Sequence, residues 1–80
     1  MRLLGQIPHP DYLISVFKSN NKIILKFEIG PFEQTYKFLE TELIHDANSV
    51  SKLIDEGILQ SVKNIFDQMN TNYQNLHGQK

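Results

Sequence analysis

Two short pairings of histidine with aspartate are the residues best suited to chemistry in this 80-residue chain. His9 and Asp11 flank Pro10, and His45 directly precedes Asp46. Histidine titrates near neutrality and ligates metals, so four such residues suit acid–base work or a metal site. Neither spacing matches a ligand motif. Polar loops in which Asp11 or Asp46 caps a turn account for both pairs more simply. His77 falls in the terminal segment and adds little.

The serines are Ser15, Ser19, Ser49, Ser51 and Ser61, and none has a nucleophile signature around it. There is no G-x-S-x-G, no G-x-G-x-x-G and no P-loop. Four glycines in all leave no glycine-rich loop for a phosphate. Glu40, Glu42 and Asp46 form a small acidic group that a solvated connection explains. The expectation is therefore no catalytic residue, no bound metal and no cofactor.

A nucleic-acid platform combines basic side chains with stacking aromatics. Lys22, Lys26 and Lys37 with Phe17 offer a sparse version of one. Only one aromatic is available, no RNP-type string occurs, and the isoelectric point near 6.3 is not that of a basic domain. The lysines read more simply as a solvated sheet surface that resists aggregation.

Composition bounds what must position these residues. Eighty residues make a single small domain, spanning residues 1–80. A chain this short buries only about 60–65% of its unfolded surface, which leaves it marginally stable. It contains no cysteine, so neither disulfides nor thiolate metal sites can reinforce it. Oligomerisation is the remaining common route. No signal peptide is expected from the opening residues, because Gly5, Gln6 and Pro8 follow Leu3 and Leu4 at once. The apolar runs are too short to span a bilayer, and a cytoplasmic location is the default expectation. Residues 1–39 carry five basic and three acidic groups, residues 40–80 three basic and six acidic ones. A mildly basic first half thus precedes an acidic second half.

Residues 12–18 and 22–29 are rich in Ile, Val, Phe and Tyr, as strands prefer. Asn20-Asn21 between them suits a two-residue type I′ hairpin turn. That loop sets Val16 opposite Leu25, Ile14 opposite Phe27 and Tyr12 opposite Ile29, all on one face. Gly30-Pro31 marks a second turn. A loop of two or four residues there puts Tyr36 and Phe38 on that same face, in a third strand over 33–39. Leu3, Leu4 and Ile7 allow a fourth, edge strand before the rigid Pro8-His9-Pro10 segment.

From about Ser49 the apolar period changes from two to 3.6. Val50, Leu53, Ile54, Ile58, Val62, Ile65, Phe66, Met69 and Tyr73 form one helical stripe, with Asn48 or Ser49 as N-cap. Gly57 costs about 1 kcal/mol in a helix interior, so the helix should kink or split near it. The amide-rich segment from about residue 70 to 80 reads as a frayed tail.

These elements define an α+β fold: an antiparallel β-meander of three or four strands, then a C-terminal helix packed on one sheet face. The other face carries Phe17 and Ile24, opposed in the first hairpin, and Leu39, which a four-residue second loop places beside Ile24. The stripe near Met69 and Tyr73 outruns a short strand. Apolar surface of this kind marks an interface, so Phe17, Ile24, Leu39, Met69 and Tyr73 are the candidate contact residues of a homodimer. The sequence thus reads as a small non-catalytic interaction or accessory protein that self-associates or binds another protein. Weak nucleic-acid binding through the lysine face is one alternative. An enzyme with its site at a dimer interface is the other.

Overall fold

The structure is a computed structural model and describes residues 1–78. Four strands, β1 (Arg2–Ile7), β2 (Leu13–Ser19), β3 (Lys22–Ile29) and β4 (Phe32–Leu39), form one antiparallel sheet in sequence order. Two helices follow, α1 (Ala47–Ser51) and α2 (Glu56–Leu76). The fold is α+β, with the long C-terminal helix packed on the sheet.

Alternation decides the core. Val16 pairs with Leu25 and Ile14 with Phe27 across β2 and β3. Leu25 in turn pairs with Tyr36, and Ile23 with Phe38, across β3 and β4. Ile14, Val16, Ile23, Leu25 and Phe27 are buried on that face beneath Val50 of α1 and Val62 and Phe66 of α2. Tyr12 lies just before β2, its ring 5.4 Å from Phe66. Ile29, at the end of β3, is left exposed.

The first turn differs from the expected type I′. Among the described residues only Asn20 is a non-glycine with positive φ, at 58°. Type I′ needs two such residues. Gly30 carries φ 55° in the second turn, where Pro31 holds the following φ negative. Both hairpins thus place the left-handed residue first. Each loop has two residues, since Ser19 pairs with Lys22 and Ile29 with Phe32. The shorter second loop moves Leu39 away from Ile24. Leu39 pairs with Lys22, and Ile24 with Lys37.

Residues 2–7 form the fourth strand, paired with β2 and bulged between Leu3 and Gly5. The bulge lets Leu4 and Ile7 pack against the core. Gly5 also admits α1. A Cβ built there would sit 2.9 Å from the Ala47 Cβ, closer than side chains approach.

The helical segment splits before Gly57, between α1 and α2. The cap of α1 is Asp46 rather than Asn48 or Ser49. Asp46 Oδ1 accepts from Ser49 N at 2.7 Å, while Ser49 Oγ accepts from Asp46 N at 3.0 Å. This capping box satisfies two orphan donors at once, which a cap at Ser49 would not. Asp55 starts α2, accepting from Ile58 N at 2.9 Å, and puts Gly57 in the first turn. Helical bonding runs past residue 70 to Leu76, then stops at Gly78 in the left-handed region. Side chains support that last stretch: Tyr73 packs its ring edge-on to Phe32, and Gln68 donates to Asn72 Oδ1 at 3.3 Å. The end of the expected tail, residues 79–80, lies outside the described residues.

Candidate interaction groove

α1 and α2 do not close over the whole inner face of the sheet. An apolar groove of about 430 Å³ remains between them. Leu25, Phe27, Tyr36 and Phe38 line it from the sheet. Ile44, Val50, Leu53 and Ile54 line it from the α1 side, and Ile58, Val62 and Ile65 from α2. The polar side-chain groups in its wall are the Tyr36 hydroxyl and Ser61.

Each wall has a local cause. The connection from β4 is tied down where Glu40 N donates to Asn21 O at 2.8 Å and Lys18 Nζ meets Glu40 Oε1 at 3.0 Å. A tight turn follows, with Thr41 Oγ1 accepting from Leu43 N and Ile44 N, both at 3.1 Å. That turn aims Ile44 inward. The 52–55 break then redirects the chain, so Leu53 is half exposed at the rim. On α2 the buried stripe is Val62 and Phe66, with Leu59 and Met69 partly covered. Ile58 and Ile65 sit beside that stripe and face the groove at 45% and 42% exposure. Tyr36 and Phe38 carry the inward parity of β4 yet remain about a third exposed.

Gln34 fixes α2 to β4. It is buried on the inner face, its Nε2 donates to Val62 O at 2.9 Å, and its Oε1 accepts from Tyr36 Oη at 2.6 Å. Nothing in the amide's type marks this role. Its inward parity between Phe32 and Tyr36 is the only signal.

The histidine–aspartate pairs hold turns. His9 Nδ1 accepts from Asp11 N at 3.0 Å and Tyr12 N at 3.3 Å, and its ring stacks on Tyr12 at 4.8 Å. An open dish of about 290 Å³ borders His9 and Asp11, with Tyr12, Glu56, Leu59, Gln60 and Lys63 completing its lining. His45 Nε2 lies 3.6 Å from Asp46 Oδ2. The Ser49 backbone N–H holds the Asp46 carboxyl below its ordinary value, and the Ser49 side chain, His45 and Lys52 add to this. No group of three His, Cys, Asp or Glu side chains is placed to hold a metal among the described residues.

The five contact residues expected from sequence fall in four places. Phe17 and Ile24 do pair on the outer face, but Ile24 is 7% exposed and Lys26 Nζ sits 5.4 Å over the Phe17 ring. Leu39 is exposed near the end of the sheet, Met69 packs against the core, and Tyr73 packs on Phe32 while remaining 38% exposed. The outer face mixes Lys22, Lys26 and Lys37 with Glu28 and Glu33. No helix among the described residues is long and apolar enough to cross a membrane. Comparison with protein-family models, with curated proteins and with solved structures found no match.

Proposed function

We propose that this chain is a small non-catalytic interaction protein of the cytoplasm that self-associates through the apolar face its helices leave open. The groove carries the reading. A small-molecule site pairs an apolar wall with a few convergent polar groups. Here the Tyr36 hydroxyl is already spent on Gln34. What remains, apart from the Ser61 hydroxyl, is apolar contact surface, which fits a protein partner better than a substrate.

Overall shape supports the same reading. The radius of gyration is 14.1 Å, against about 12 Å for a compact chain of this length. The accessible surface is 5634 Å², against about 5,000 Å² for a folded monomer of this mass. The surplus approaches the roughly 800 Å² that each partner buries in a standard interface. A dimer melts at higher temperature as its concentration rises, because association favours the folded state by mass action. Thermal melts of the full chain at increasing concentration should show that rise. A melting temperature independent of concentration would overturn the proposal.

A further inference from the structure

The two edges of the sheet are unlike. β1 is broken by its bulge, an irregularity that blocks further pairing. β4 holds unbroken register with β3 over eight residues and contains no proline. Such an edge presents a row of unpaired backbone N–H and C=O groups. It also borders the groove, through Tyr36 and Phe38.

The strand reads Phe32-Glu33-Gln34-Thr35-Tyr36-Lys37-Phe38. Reversed about Thr35, it complements itself. We infer that a second copy of this chain adds its β4 to this edge, antiparallel and centred on Thr35, making one eight-stranded sheet across a two-fold axis. This rests on the self-association proposed above and names its surface. On the outer face Glu33 then opposes the partner's Lys37, and Lys37 opposes the partner's Glu33. On the inner face Phe32 opposes the partner's Phe38, and Gln34 opposes the partner's Tyr36. Cross-strand pairs of opposite charge and of aromatic rings are those that stabilise antiparallel sheets. Glu33 and Lys37 are exposed and form no ion pair within the chain among the described residues.

The two ends of the subunit also match when reversed. The groove opens toward the Phe38 end of β4, while α2 leaves the sheet at the Phe32 end, where Tyr73 packs. Antiparallel pairing sets each groove beside the last turns of the partner's α2. Leu76 in those turns is 87% exposed. A two-fold contact uses the same patch on both copies, as this arrangement requires.

Charge exchange at positions 33 and 37 tests the register. Dimer dissociation constants would be measured by sedimentation velocity on the full chain, with circular dichroism confirming the fold. Both side chains are exposed, so the variants should fold. Glu33→Lys alone and Lys37→Glu alone each set like charges opposite one another twice, and each should weaken the dimer about tenfold. The double variant Glu33→Lys/Lys37→Glu restores opposite charges and should regain the original affinity. An equimolar mixture of the two single variants should form a heterodimer. Hydrogen exchange adds a readout free of substitutions: protection should rise in β4 on association and stay unchanged in β1. A dimer indifferent to both single variants, or one that protects β1 and not β4, overturns this register while self-association stands. A wild-type chain that never associates overturns both.

Discussion

Asp46 shows how a single carboxylate ties local geometry to pH. Its pKa lies below the ordinary value because the Ser49 N–H donates to the charged form. The folded state therefore binds that proton less readily than the unfolded chain. The capping contribution is complete above the ordinary carboxylate pKa and is lost as pH falls through the lowered value. We expect Asp46→Asn, whose amide oxygen can still accept from Ser49 N, to remove that pH dependence. Asp46→Ala should lower the melting temperature at neutral pH as well. Thermal melts between about pH 5 and pH 3 compare the three proteins, since the ordinary aspartate titrates near 4. Equal acid sensitivity in wild type and Asp46→Asn would show that the cap is not the titrating element. Gly5 makes a different demand. Its missing Cβ gives α1 room at Ala47, so Gly5→Ala should cost about 1–3 kcal/mol through overpacking. Ala47→Gly in the same chain should recover part of that in urea unfolding, and a loss unchanged by the second substitution would place the strain elsewhere.

Among the elements, alternation carried most of the fold into view. The β2–β3 register follows from apolar parity and a two-residue loop. The structure pairs Val16 with Leu25, Ile14 with Phe27 and Phe17 with Ile24 as expected, while Tyr12 stops short of the ladder that was to set it opposite Ile29. The change of period at Ser49 and the break near Gly57 were legible for the same reason, because side-chain spacing is local. Features that depend on reach across the chain were not. The cap moved to Asp46 because a capping box scores two bonds and a residue list scores one. Leu39 left Ile24 because parity alone cannot separate a two-residue loop from a four-residue one. The path of α2 over the sheet depends on Gln34, whose buried bond to Val62 O has no local pattern. For that reason the groove was invisible, although every residue lining it except Ser61 was assigned an apolar position or a loop. Gly57 offers a check on the split. It sits in the first turn of α2 with no positive φ, and an added Cβ would meet Asp55 Oδ1 at an ordinary 3.4 Å. Gly57→Ala should stabilise the fold by about 0.5–1 kcal/mol, by restricting the unfolded chain. Destabilisation instead would mean that the break needs the freedom of glycine.

At the scale of the whole molecule, one chain leaves much apolar surface open for its size. Ile58, Ile65 and Leu53 stand half exposed around a groove that their own chain does not fill. The two helices contribute three buried core residues, Val50, Val62 and Phe66, against five from the sheet. A layer so thinly covered gains stability most readily from a second copy, since burial contributes about 25 cal/mol per Å² of apolar surface. The outer face needs no such cover, because Ile24 is already buried and Lys26 lies over Phe17. Sedimentation equilibrium of the unmodified chain tests the claim most directly. A self-associating chain should show a mass twice the 9.3 kDa of one chain, falling toward one chain only on dilution. A single species of 9.3 kDa at every concentration would contradict it.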